Sequence, residues 1–133
     1  MNRYLLDTNH LSAYLDRHTS LEPKIDQGLK AGDRFGLCLP VLCEYHAGIR
    51  LGRRYQQNLS RLNAALQIFR LWPIDEGTAL EFAELFRELR SIGRVMSQFD
   101  LLIAALARQH KLILLTADQD FRPVTGISVE SWL

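Results

Sequence analysis

Four acids, Asp7, Glu44, Asp100 and Asp118, stand where an apolar run ends or a helical pattern begins. Carboxylates so far apart in sequence acquire a common use if the fold gathers them: holding a hard cation. Two ionised carboxylates about 5 Å apart repel by roughly 3 kcal/mol at an effective dielectric of about 20, so a cluster of three or four does not stay charged unaided. Oxygen donors without His or Cys suit magnesium or manganese, which keep several waters and bind through a few carboxylates and the phosphate oxygens of a substrate. The chemistry of such a site is phosphoryl transfer or hydrolysis, because the ion activates water and draws charge from the phosphoryl and leaving oxygens.

Taken singly, each acid has an ordinary alternative. Asp7 can cap the helix that begins near Asn9. Ser97 and Asp100 have capping-box spacing. Glu44 lies about 110° from the centre of the helical face made by Val41, Leu42, Tyr45 and Ile49, on a flank where solvated charges are common. Asp118 and Asp120 can shape a turn. The set gains its force from the elements that must position it.

Those elements alternate. Short apolar runs at Arg3–Leu6, Phe35–Leu39, Ile68–Ile74 and Leu112–Thr116, with a weaker fifth at Ile127–Trp132, are bounded by Gly, Pro, Asp or Thr and predict buried strands. Between them the period is helical: Leu59, Leu62 and Leu66 share one face, and Phe82, Leu85, Phe86 and Leu89 another. Alternating strands and helices predict an α/β sandwich with a mainly parallel central sheet of four or five strands. In such sheets the functional crevice lies beyond the carboxyl ends of the strands, where Asp7 and Asp118 fall and where the helices carrying Glu44 and Asp100 begin. LLIAALA, residues 101–107, is apolar on every side and predicts a buried helix with its head deep in the fold.

The 133 residues fit one domain, 1–133, able to bury a core without disulfides or a structural metal. Sixteen basic against 15 acidic side chains leave a charge of +1, which names no partner. Cys38 and Cys43 lack zinc or redox spacing and are expected to be small buried thiols of a reducing compartment. No signal-peptide pattern and no membrane-length apolar segment is visible, so a cytoplasmic protein is expected.

LLDTN at residues 5–9, Glu44 within LCEYHAGI, FDLLIAALA at residues 99–107 and LLTADQDF at residues 114–121 together resemble the PIN-domain ribonucleases, most closely the VapC toxins of bacterial toxin–antitoxin pairs. The resemblance runs from Asn2 to Phe121 and departs from the pattern in the approach to Asp100, GRVMSQFD. It implies the PIN-like three-layer sandwich and a site in which Asp7, Glu44, Asp100 and Asp118 bind Mg2+ or Mn2+. Asp120 would be an auxiliary acid, Thr116 the hydroxyl beside the site, and Asn9 the amide that orients Asp7. It further implies endonucleolytic cleavage of RNA, such as a tRNA or a ribosomal RNA loop, a VapB-type antitoxin as partner, and a homodimer.

Arg50, Arg53 and Arg54, at the end of the Glu44 helix, are the candidates for holding the RNA backbone; Arg61, Arg87, Arg90 and Arg94 compete with local partners such as Glu84. His10 and His46 are near enough in sequence to act as acid or base, but an ion-activated water supplies the nucleophile without them. The alternative to a nuclease is a PIN-like module that binds RNA, or sits in a DNA-bound complex, with little turnover. A phosphoacceptor receiver domain would need an acidic neighbour for Asp7, which is missing.

Overall fold

The computed structural model describes residues 1–17 and 20–133. Five strands, β1 (Arg3–Leu6), β2 (Arg34–Leu37), β3 (Arg70–Leu71), β4 (Ile113–Leu115) and β5 (Ser128–Glu130), form one sheet in the order β3-β2-β1-β4-β5, with every neighbour parallel. All five predicted strands are present. Six helices flank the sheet among the described residues: α1 (Thr8–Leu15), α2 (Leu21–Lys30), α3 (Leu39–Arg50), α4 (Tyr55–Ala65), α5 (Glu76–Ser91) and α6 (Gln98–His110). None of them is long and apolar enough to cross a membrane.

The strand order contains the feature that builds the site. From β1 the chain steps outward through β2 to β3, then returns to the other side of β1 for β4 and β5. Between β1 and β4 the winding reverses, and such a switch point opens a crevice at the carboxyl ends of the two strands. The register pairs Leu6 with Leu115, so Asp7 and Thr116 leave the sheet side by side.

The core is made of fully buried sheet residues, among them Leu5, Leu6, Phe35, Leu37, Leu114 and Leu115, covered by Leu11, Val41, Leu62, Leu85 and the middle of α6. Leu101 and Ile103 to Ala107 are buried as the all-round apolar pattern predicts, and the three alanines of that stretch let neighbouring elements approach closely. The head of α6 departs from expectation: Ser97, Gln98 and Phe99 are exposed and Asp100 is half-buried, because the buried length begins only at Leu101.

Other departures have local causes. The apolar run Ile68–Ile74 contributes only two strand residues, both exposed, since β3 is an edge strand that Pro73 cannot extend. Its buried residues, Phe69 and Trp72, flank the strand instead, and the Trp72 indole N–H crosses β2 to donate to the Tyr4 carbonyl at 3.0 Å. A side chain at Gly36 would overlap that indole. Phe86 is exposed although Leu85 and Leu89 of its helix are buried, and Cys43 is exposed on α3 whereas Cys38 is buried. Burial pushes the Cys38 thiol up to about 12, which leaves it unreactive.

Candidate metal centre and nuclease site

The acids at the switch point are positioned by backbone and cap geometry. Asp7 is the N-cap of α1, and its backbone N–H still pairs with Leu115 of β4 at 3.1 Å. Its Oδ1 accepts two hydrogen bonds, from the backbone N–H of His10 at 2.8 Å and from the His10 ring Nδ1 at 2.9 Å. Capping and cation binding are therefore compatible roles for Asp7, because the cap occupies one oxygen. Asp118 caps the short 3-10 turn Gln119–Phe121 through an Asp120 N–H bond at 2.9 Å, and its own N–H donates to the Thr116 hydroxyl at 3.0 Å. Thr116 is buried, so this bond fixes how the chain leaves β4.

Glu44 reaches the site from the second turn of α3. It is exposed, as its flank position predicts, but it is tied to the head of α1: the Thr8 hydroxyl donates to Glu44 Oε1 at 2.9 Å. Asp100, in the first turn of α6, lies beyond the Ser97 cap, whose hydroxyl accepts the Asp100 N–H at 3.2 Å.

Asp7, Glu44, Asp100 and Asp118 line one cleft of about 180 Å³, together with Thr8, Asn9, Ile103 and Phe121. Within the acidic group, Asp100, Asp118 and Asp120 each offer a carboxylate oxygen within 4.8 Å of the others. The tightest cluster thus includes Asp120, for which the resemblance implies only an auxiliary role. Burial pushes the Asp100 carboxyl up from its ordinary range, the charges of Asp118, Glu44 and Asp120 push it further, and the Ser97 hydroxyl offsets part of the rise. That Asp100 senses three other acids is the electrostatic mark of a shared site.

The donor set is all oxygen and strongly negative, and repulsion within it is felt by Asp100; both properties fit a hard divalent ion. A second cleft of about 480 Å³ adjoins the first through Asp100, and its wall carries Asp120, Arg94 and Arg122. The divergent GRVMSQFD approach supplies much of that wall: Arg94, Val95, Met96 and Ser97.

These contents agree with the comparisons. The PIN domain family matches the chain over residues 4–127. The chain belongs to the PIN-domain family. A curated relative, ribonuclease VapC2 of Rickettsia felis, is 25% identical over 130 residues, 97% of each chain. The solved structure of VapBC2 from the same organism, bound to a DNA fragment from its promoter, superimposes with a TM-score of 0.90 at 24% identity over 98% of this chain and 99% of that one. DNA-bound VapBC from Salmonella typhimurium matches with a TM-score of 0.89 at 20% identity over the full length of both chains.

The remaining residues of this PIN domain fall in several places. Asn9 lines the cleft and is exposed, while the bonds to Asp7 Oδ1 come from its neighbour His10. His10 is fully buried and His46 is exposed. Arg50, Arg53 and Arg54 are exposed, and the Arg50 guanidinium lies 4.7 Å from the Tyr55 ring centroid. Arg87 pairs with Glu84 and Arg90 covers Phe86, as solvated helix faces do. The sequence gives no signal for the roles of Thr8 and Arg122, and it offers His10 as an acid or base, not as the partner of Asp7. A usable signal existed for His10, since it stands three residues after the capping Asp7, where a side chain reaches back to the cap.

Proposed function

We propose that this chain is a magnesium- or manganese-dependent endoribonuclease, the toxin of a VapBC-type pair, acting in the cytoplasm. The observation that carries the reading is the convergence of Asp7, Glu44, Asp100 and Asp118 on one cleft at the β1/β4 switch point, with Asp120 beside Asp100 and Asp118. A curated relative of matching length named as a ribonuclease supports the reaction, and the VapBC complexes among the solved neighbours support a VapB-type antitoxin as partner.

Asp7, Glu44, Asp100 and Asp118 would hold the ion, with Asp120 adding charge at its edge. When bound, the ion supplies an activated water and stabilises charge on the phosphoryl and leaving oxygens. The chain does the rest. Thr8 holds Glu44 against the head of α1, and Thr116 fixes the exit of Asp118 from β4, so the carboxylates keep their spacing without substrate. Arg94 and Arg122, on the wall of the larger cleft, hold phosphates next to the site. Arg50, Arg53 and Arg54, at and beyond the end of α3, add positive charge for a longer stretch of RNA, with a tRNA or ribosomal RNA loop as substrate.

Purified protein, freed of antitoxin and incubated with total RNA, tests the reading. Cleavage is expected with Mg2+ or Mn2+ and none with chelator or with Asp7→Asn. Undiminished cleavage in chelator, or an inert wild type that retains its fold, would overturn it.

A further inference from the structure

Asp7 is held from one side by a residue outside the acidic set. His10 is fully buried, with its ring Nδ1 2.9 Å from Asp7 Oδ1. On the opposite edge of the ring, Nε2 lies 3.1 Å from the backbone nitrogen of Trp132, which has a hydrogen to donate. A backbone N–H can pair only with a ring nitrogen that carries a lone pair, so Nε2 is the acceptor and Nδ1 bears the proton that goes to Asp7.

Trp132 is anchored in its turn. Its ring stacks at a tilt on Tyr4, with centroids 5.0 Å apart, and edge-on to Phe35 at 5.7 Å. The Lys24 ammonium lies 4.4 Å from the indole centroid, and the indole N–H donates to Glu130 at 3.0 Å. A continuous line of contacts therefore runs from the C-terminal segment, through one imidazole, to the first acid of the cleft.

We propose that His10 is a positioning residue for Asp7, and that the Trp132 backbone N–H, by taking Nε2 as its acceptor, keeps the ring proton on Nδ1, where it serves Asp7. The proposal rests on the reading of Asp7 as a ligand of the divalent ion. With both His10 bonds on Oδ1, the carboxylate is fixed in rotation and Oδ2 is the oxygen left for the cleft. Hydrogen-bond partners that orient metal-binding side chains typically contribute about 10–100-fold to metal affinity or activity.

Two variants separate the ends of the ring. His10→Asn retains a donor in the place of Nδ1 and loses the acceptor for Trp132; His10→Gln retains an acceptor in the place of Nε2 and loses the donor to Asp7. Mn2+ affinity, read from the electron paramagnetic resonance of the free ion, is expected to weaken about tenfold or more in His10→Gln and to stay within about threefold of wild type in His10→Asn. Tryptophan emission is expected to move to the red in His10→Asn alone.

Folded variants that both bind Mn2+ like the wild type, or that lose it equally, would overturn the positioning role. A wild type that binds no Mn2+ would instead overturn the metal reading and this proposal with it. Because a buried His variant can fail to fold, the wild-type protein supplies a separate measurement: the 15N shifts of the His10 ring are expected to show the proton on Nδ1, and a proton on Nε2 sinks the proposal.

Discussion

The heads of α5 and α6 begin alike and end as electrostatic opposites. At α5, Asp75 is the N-cap: its Oδ1 accepts from the Thr78 N–H at 3.2 Å and from the Gln109 side-chain amide at 2.8 Å, while the Asp75 N–H donates back to the Thr78 hydroxyl. The Gln109 bond, followed by the Thr78 backbone bond, holds the Asp75 carboxyl below its ordinary range. At α6 the cap is Ser97, and the acid of interest, Asp100, sits inside the first turn facing other carboxylates. Burial and the charges of Asp118, Glu44 and Asp120 push it up. One carboxylate is surrounded by donors and completes a structure; the other is surrounded by acids and is left with an electrostatic conflict that a cation resolves. An acid near a helix start is thus uninformative until its neighbours are known.

Catalysis should divide the two heads most sharply. Asp100→Asn is expected to lower RNA cleavage by more than roughly 100-fold, since even partners that only orient a ligand contribute up to about that much. Asp75→Asn, which retains a good cap, should leave cleavage within about twofold of wild type, because nothing at α5 faces the cleft. Initial rates on one RNA under equal Mg2+ make the comparison; equal losses at both positions would erase the distinction.

Metal-dependent stabilisation comes next in size. An ion that binds only the folded state at a hundred times its Kd stabilises by about 2.7 kcal/mol, on the order of 10 °C in Tm for a chain of this length. Wild type and Asp75→Asn should both show this rise with Mn2+, and Asp100→Asn should lose most of it. A rise of the same size in Asp100→Asn would place the ion elsewhere.

Much of the acidic cleft was legible in the sequence, for reasons that differ by residue. Asp7 and Asp118 follow apolar runs short enough to be strands, so the rule for parallel sheets places them at one edge. Glu44 was legible as a flank residue by helical geometry, but its tether to Thr8 was not, because that bond joins two elements 36 positions apart. Asp120 reads as a turn former, and its membership in the tightest acidic group depends on the short 3-10 turn that brings its carboxylate beside Asp100 and Asp118. The head of α6 was expected to be deep because periodicity records apolar faces and cannot show where a helix emerges from the core. Arg122 was invisible for a similar reason: it owes its place in the larger cleft to the chain's turn after Phe121 and to no local pattern.

Removing the α5 cap altogether gives a smaller and purely structural effect. Asp75→Ala strips the acceptor from Thr78 and Gln109 and should lower Tm by several degrees at neutral pH, with Mn2+ still adding its full increment. Thermal melts with and without the ion measure both quantities. A lost increment would mean that α5 sets the geometry of the cleft through its packing on α6, and the two heads would then have to be treated as one unit.

The smallest effect is the most diagnostic, because its sign differs between the two acids. In chelator, the folded Asp100 carboxyl keeps its proton to a higher pH than the unfolded one, so the folded state binds more protons in that window and stability falls as pH rises through it. Above the raised value the penalty is complete, and Asp100→Asn should therefore be more heat-stable than wild type at neutral pH, by a few degrees, with the advantage vanishing below the ordinary aspartate range. Asp75 behaves in reverse: its lowered value adds stability above the unfolded value, and that contribution is lost as pH falls through the folded one. Difference curves of Tm against pH, each variant minus wild type in chelator, should then slope in opposite directions on the acid side: Asp100→Asn gains on wild type as pH rises, and Asp75→Asn gains on wild type as pH falls. A flat Asp100 curve would mean that neither burial nor the neighbouring acids disfavour its charge in the metal-free state, and the electrostatic case for an ion in the cleft would lose its support.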